Sequence, residues 1–163
     1  MSKLGDEYTP PATIEPQKMP FSCQWILSVL NKTISSLDAY KFSDASGAVY
    51  AWWQYQLCDI FIEVIKPYFF GNNDKSGKGY AQHTLWVCLD TGLRLLHPFM
   101  PFVTEELWQR LPSPKNHTRE ESIMICEYPS VVESWTNDEI EFEMEMVESA
   151  VNPSAPLRRL ERP

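Results

Sequence analysis

Proline placement limits what this chain can fold into more than any other feature of its sequence. Seven of the 13 prolines lie in the first 20 and the last 11 of its 163 residues. Proline fixes φ and lacks an N–H donor, so both ends are predicted to be irregular rather than helical. We therefore predict an irregular extension over residues 1–20, a folded domain over 21–151 and an irregular tail over 152–163.

Apolar residues between those ends recur at helical spacing, which predicts an all-α domain of about five helices with almost no sheet. The first helix carries an apolar face from Trp25 onward, with Ser22 placed to cap its start. The second begins near Ser43 or Asp44. Pro67 is expected to end it, because the residue before a proline is pushed out of the helical region.

A run of turn-forming residues over 71–79 predicts a loop after the second helix. The third helix is expected from about Tyr80 to His97, closed by Pro98. A short fourth helix is expected to start where Thr104 can cap it.

The last helix is predicted to open with a capping box between Thr136 and Glu139. Its outer face is strongly negative, and the carboxylates on it are Asp138, Glu139, Glu141, Glu143, Glu145 and Glu148. Residues 122–126 form the only plausible extended stretch.

Composition restricts the class of protein. A 44% apolar content can bury a core of ordinary size, and no window approaches the length of a membrane span. The N-terminus lacks the pattern of a signal peptide and the four cysteines are widely spaced, so we expect free thiols in the cytosol. The formal net charge of −8 argues against a protein that grips nucleic acid mainly through phosphates.

Few residues suggest a metal, cofactor or catalytic site. The three histidines are scattered, and there is no glycine-rich phosphate loop, so we expect no cofactor and no metal in this chain. Asp59 and Glu63 form an i, i+4 carboxylate pair that could hold a cation or share a proton. The alternative is that each pairs with a nearby lysine or arginine.

Aromatic residues are more suggestive. Tyr50, Trp52, Trp53 and Tyr55 crowd six residues of one helix, so they cannot all point into the core. Trp53 or Tyr55 is therefore expected to be exposed. An exposed ring can stack on an unpaired base, and it can equally form a second packing interface.

The segment 93–111, LRLLHPFMPFVTEELWQRL, resembles the helix–break–helix of the anticodon-binding domain in class I aminoacyl-tRNA synthetases. Within that family, its amino-acid sequence is most similar to that of the valyl-tRNA synthetases. The stretches LCDIFIE at 57–63, SIM at 122–124 and Tyr128-Pro129 are similar to further segments of that family. The similarity extends over roughly residues 21–150.

This resemblance implies a helical bundle that docks the anticodon stem-loop of valine tRNA. The enzyme would join valine to that tRNA with ATP, using catalytic and editing domains that this chain does not contain. The chain alone is therefore expected to be inactive. Two other readings stay open, a non-catalytic protein-interaction module derived from a synthetase and the corresponding domain of an isoleucyl-tRNA synthetase.

Residue roles divide into RNA contacts and architecture. The predicted tRNA-binding residues are Trp53, Tyr55, Lys41, Lys66, Arg94 and Arg110. The predicted architectural residues are Asp59, Glu63, Pro98, Phe99, Pro101, Phe102 and Trp108. Pro98 and Pro101 are expected to enforce the break, with Phe99, Met100 and Phe102 filling the space beneath it. The acidic last helix is expected to face away from RNA.

Overall fold

A computed structural model describes residues 8–10, 15–37, 42–70, 75–113 and 120–151 of the chain. Within these ranges the regular structure is entirely helical, as the sequence predicts. The six α-helices are α1 (Phe21–Leu37), α2 (Phe42–Ala51), α3 (Ile62–Phe70), α4 (Lys75–Leu96), α5 (Pro101–Gln109) and α6 (Asp138–Val151). A π-helical segment, Trp52–Phe61, joins α2 to α3, so the helices form five rods. Short 3₁₀ turns lie at Pro16–Lys18, Ile123–Ile125 and Glu133–Trp135.

The first rod begins without the predicted serine cap. Helix α1 starts at Phe21, and the N–H groups of Cys23 and Gln24 both donate to the carbonyl oxygen of Pro20. Ser22 is therefore the second helical residue and is buried. The prediction placed the helix start two residues too late, because the Pro20 carbonyl already accepts the first helical bonds.

The second rod is longer than its sequence predicts. It starts at Phe42 rather than at Ser43 or Asp44, and it passes through Pro67 to end at Phe70. The prediction that Pro67 ends the helix is wrong. Pro67 is exposed, so the carbonyl that loses its usual partner can bond to water instead.

The third rod also starts earlier than predicted. Helix α4 begins at Lys75, so the predicted loop over 71–79 is too long, and residues 71–74 lie outside the described ranges. Gly77 is buried within the first turns. The helix ends at Leu96 and a turn follows at His97–Phe99, which confirms the break at Pro98.

The fourth rod, α5, begins at Pro101 rather than near Thr104. Pro101 takes the first helical position, where a missing N–H costs nothing. Thr104 lies buried inside the helix, and its hydroxyl donates to the Met100 carbonyl at 2.8 Å. His97 Nδ1 lies 2.7 Å from the same hydroxyl, which joins the turn to α5.

Two predictions about the C-terminal third are also corrected. The stretch 122–126 is a 3₁₀ turn with Ser122 as its cap rather than an extended strand. The N-cap of α6 is Asn137, whose side-chain oxygen accepts from the N–H of Ile140 at 3.1 Å. Thr136 instead accepts a bond from Asn31 on α1 at 2.8 Å, so the capping box is not formed.

The core lies around α1, which packs against α2, the π segment, α4 and α6. The largest fully buried side chains include Trp52, Phe61, Ile26, Leu27 and Leu30. Burial of each such side chain stabilises the fold by about 1.5–3 kcal/mol. Helix α6 is tied to α1 through Ser28, which donates to Glu141, and through Lys32, which lies 3.0 Å from Asp138 and 2.6 Å from Glu141.

The segment before α1 packs against the start of α4. The Tyr8 hydroxyl lies 2.7 Å from His83 Nδ1, and the Thr84 hydroxyl lies 3.8 Å from Met19 Sδ. Burial lowers the pKa of His83 and so favours its neutral ring. A neutral ring can accept a hydrogen bond from the Tyr8 hydroxyl at Nδ1. These contacts hold the segment before α1 against the ninth and tenth residues of α4.

Candidate nucleic-acid interface

The predicted basic contacts are all neutralised where the structure describes them. Lys66 pairs with Glu63, Arg94 with Asp90 and Arg110 with Glu106, each within its own helix. Arg94 also donates to the carbonyl of Glu127 at 3.1 Å. Lys41 lies outside the described residues. Surface pairs of this kind leave little net charge for phosphates, although they are weak enough to exchange partners.

The predicted aromatic contacts are half-buried. Trp53 Nε1 donates to the Gly92 carbonyl at 3.3 Å, and Tyr55 packs edge-to-face on Tyr50 with 6.3 Å between ring centroids. The exposed ring of this cluster is Tyr50, whereas Trp52 is fully buried. The expectation that Trp53 or Tyr55 is the exposed ring is therefore wrong.

The predicted basic contacts within the described residues do not converge on one surface. Lys66 lies one turn before the end of α3, next to the start of α4. Arg94 lies 19 residues beyond Lys75 on α4, which is about 28 Å along a helix. Arg110 follows α5, beyond the turn at the far end of α4.

The hinge between α4 and α5 is architectural, with two exceptions to the prediction. Trp108 is buried and its Nε1 donates to Asp90 Oδ1 at 2.8 Å, while Phe99 packs against the core. Phe102 is 89% exposed and Met100 is 48% exposed, so these two side chains do not fill the space beneath the break. They lie on the outer side of α5, where no described element covers them.

The two carboxylates on the second rod have different surroundings. Glu63 bonds to Lys66, and Asp59 is exposed on the π segment. Nowhere in the described part of the chain do three or more histidine, cysteine, aspartate or glutamate side chains converge in a way that could hold a metal ion. The ion-pair reading of Glu63 is the one that the structure supports.

The end of α3 and the first turn of α4, which four residues separate along the chain, carry an exposed aromatic ring and two lysines, and we call this part of the surface the lysine end. It comprises Lys66, Phe70 and Lys78. Phe70 is 81% exposed at the end of α3, and the four residues 71–74 join it to α4, where Lys78 is exposed. Lys18 lies close enough to Tyr80 on α4 to interact electrostatically with it, although Lys18 is also paired with Glu15.

Sequence reasoning included only Lys66 among the residues of the lysine end. The signal that could have found the others is the Tyr-Phe-Phe run at 68–70, which is followed closely by Lys75 and Lys78. A polar loop between two such groups is a common place for binding residues.

A cleft beside α6 is unsuited to RNA. It measures about 490 Å³ and lies between α1, α2 and α6. Its lining includes the carboxylates of Asp138, Glu141, Glu145 and Glu148 and a single cation, Lys32. Phosphates would be repelled there, so an RNA surface must lie elsewhere.

The described residues form an all-helical bundle with a proline-broken corner between α4 and α5. The helices of the described part include none that is long and apolar enough to cross a membrane. Residues 23–158 match the family "Anticodon-binding domain of tRNA ligase". The chain belongs to this family of anticodon-binding domains.

Within this family, the chain is similar to valine--tRNA ligases. The chain is 63% identical to "Valine--tRNA ligase, mitochondrial 1" of Arabidopsis thaliana over 164 residues, which covers 97% of the chain and 15% of that protein. It is 39% identical to the "Valine--tRNA ligase" of Mus musculus (95% of the chain, 13% of that protein) and 39% identical to that of Geobacter sulfurreducens (84% and 16%). The chain therefore spans only about one seventh of the length of these relatives.

Proposed function

We propose that this chain binds the anticodon loop of valine tRNA through its lysine end. The observation that carries the proposal is the exposure of Phe70 at the end of α3 and of Lys78 in the first turn of α4, two helix ends that only four residues separate along the chain of an anticodon-binding domain. The similarity to valine--tRNA ligases supports valine tRNA over isoleucine tRNA as the partner.

Stacking and charge would act together at this end. An unstacked base on an aromatic ring contributes about 1–3 kcal/mol, and every base offers a flat face. Lysines supply the phosphate contacts, and each one adds about 0.7 to the slope of log affinity against log salt for a single strand. Because the chain carries a net charge of −8, its affinity alone should be weak and strongly salt-dependent.

The test is a titration of a fluorescent valine anticodon stem-loop at several salt concentrations. Phe70→Ser should weaken binding about tenfold or more, since it removes the stacking platform. Lys78→Gln should weaken binding and lower the salt slope by about 0.7. Phe102→Ser is the matched control, because it removes an equally exposed ring at the other end of the bundle.

Two outcomes would contradict the proposal. Equal losses for Phe70→Ser and Phe102→Ser would show that the lysine end is not the RNA surface. Equal binding of an anticodon-swapped stem-loop would remove the valine assignment, and a preference for the isoleucine anticodon would replace it.

We also propose that catalysis belongs to other parts of a valine--tRNA ligase, where ATP would be used. The described residues offer a binding surface and no cluster of catalytic groups. The chain alone should therefore give no valine-dependent exchange of pyrophosphate into ATP. Exchange above that of a chain-free control would contradict this division of labour.

The cytosol is the compartment we propose. The four cysteines, all within the described ranges, form no disulfide there, which suits a reducing compartment. One relative is named as mitochondrial, so a fluorescent fusion should be followed in both compartments. Import into mitochondria would overturn the assignment.

A further inference from the structure

An exposed apolar surface lies at the end of the bundle opposite the lysine end, and we call it the apolar shelf. It comprises Tyr50, Met100, Phe102, Val103 and Leu107, all of them exposed. Met100, Val103 and Leu107 follow one another at helical spacing along the outer side of α5. Several large apolar side chains exposed together are typical of a surface that another protein segment covers.

A cleft opens into this shelf where α2 meets the hinge. It measures about 490 Å³, and its walls include Tyr50, Trp53, Phe99 and Met100. The hydrogen bond from Trp53 Nε1 to the Gly92 carbonyl fixes one wall, and the edge-to-face contact with Tyr55 orients Tyr50. The cleft is therefore largely formed before anything binds.

The chemistry of the cleft favours a protein partner over RNA. Among the residues whose side chains the structure describes, those that line the cleft include no lysine, arginine, aspartate or glutamate. Arg94 and Arg110, on the neighbouring elements, are already paired with carboxylates. RNA binding depends on phosphate neutralisation, whereas protein interfaces are centred on large apolar side chains that fill pockets.

We propose that the apolar shelf docks against the remaining polypeptide of a valine--tRNA ligase, which places an apolar or aromatic side chain in the cleft. In the relatives the matched segment is 13–16% of a much longer chain, so a covering partner is continuous with it. The inference rests on the proposed function, although it concerns a different surface of the domain.

The test replaces the matched 164-residue segment of the Arabidopsis relative with this chain and compares the chimera with the chain alone, without tRNA. Phe102→Cys is labelled with a maleimide and read by site-resolved mass spectrometry. We expect labelling at this position to be at least about tenfold slower in the chimera, as buried positions are protected. Ser76→Cys, exposed on α4 near the lysine end, is the matched control and should label equally in both.

Equal labelling of Phe102→Cys in the two proteins would overturn the proposal, and so would a chimera that does not fold. Phe102→Asp provides a second measurement, since it should lower the melting temperature of the chimera and leave that of the chain unchanged. Concentration-dependent dimerisation of the chain that Phe102→Asp abolishes would assign the shelf to a second copy instead. Because no tRNA is present, failure of RNA binding at the lysine end would not affect these readouts.

Discussion

Asp90 joins α4 to α5 at the hinge. One of its carboxylate oxygens accepts from Trp108 Nε1 at 2.8 Å, and the other pairs with Arg94. Arg94 in turn donates to the Glu127 carbonyl, so α4, α5 and the segment after α5 meet at one buried carboxylate. Hydrogen bonds to a charged, buried acceptor are worth more than neutral ones.

We predict that Trp108→Phe lowers the free energy of unfolding by about 1–3 kcal/mol, because it leaves Asp90 with an unfilled acceptor position. Trp108→Ala should cost about 3–5 kcal/mol, because it also leaves a cavity. Trp86→Phe is the control, since Trp86 Nε1 donates at 2.8 Å to an uncharged acceptor, the Pro112 carbonyl. Chemical denaturation measures all three, and equal losses for the two phenylalanine variants would contradict the role of Asp90.

Glu105 makes the stability of the hinge depend on pH. Gln109 and Ser122 donate to its carboxylate at 2.8 and 2.7 Å, and with the N–H of Ile123 they lower its pKa. The folded state then binds fewer protons than the unfolded state. The stabilisation is therefore fully present above the unfolded pKa of about 4.3 and is lost as the pH falls through the lower, folded value.

We predict that Glu105→Gln lowers the free energy of unfolding at neutral pH by no more than about 1 kcal/mol, since solvent screens the group. The difference from wild type should shrink to nothing in acid. Denaturation at a series of pH values checks this, with Glu106→Gln, which is exposed and outside this cluster, as the control. A difference that stays constant from neutral pH into acid would show that the charge of Glu105 contributes nothing.

Among the helices, the contact between α4 and the π segment could not be predicted from sequence. Trp52 and Leu57 are both fully buried but five residues apart, which is about 140° around an α-helix. A wider π turn returns them to one side, as the bond from the N–H of Ile62 to the Leu57 carbonyl shows. The apolar pattern therefore predicted a helix correctly and gave no information on its winding.

Gly92 is the residue of α4 that allows this contact. A Cβ there would lie 2.7 Å from Trp52 and 2.9 Å from Trp53. Gly92→Ala should therefore lower the free energy of unfolding by about 1–3 kcal/mol through overpacking, despite the better helix propensity of alanine. Gly79→Ala, on the same helix with open space around its Cβ, should raise it by up to about 1 kcal/mol. Thermal denaturation of the pair tests this, and stabilisation by both variants would contradict it.

The helix ends and the buried faces of the helices show which features can be predicted from the sequence. Pro98 was predicted correctly as a break, whereas Pro67 lies inside α3, although both prolines are exposed. After Pro98 the N–H groups of Phe99 and Met100 both donate to the Leu96 carbonyl and close a turn, so a proline in the sequence does not by itself fix a helix end. The burial of Trp108 follows from its spacing, whereas the exposure of Phe102 does not, since periodicity cannot say which apolar face lacks a partner inside the chain.

In the whole molecule, binding surfaces of opposite chemistry lie at the two ends of α4, whose 22 residues extend about 33 Å. At physiological salt the Debye length is about 8 Å, so a charge at one end has little electrostatic effect at the other. The lysine end and the apolar shelf should therefore act independently. Sequence reasoning included Lys66 but did not identify either surface, because periodicity does not say which residues of neighbouring helices are exposed together.

We predict that Phe102→Asp changes the affinity of the chain for the valine anticodon stem-loop by less than about 0.5 kcal/mol, the usual limit for independent sites. Ser76→Asp introduces the same charge beside Lys78 and should weaken binding clearly, since it opposes phosphate binding within one Debye length. Combined with Lys78→Gln, Phe102→Asp should add nothing to the loss. Anisotropy titrations at physiological salt measure each variant. A loss for Phe102→Asp as large as that for Ser76→Asp would mean that RNA also contacts α5, and the separation of the two surfaces would be wrong.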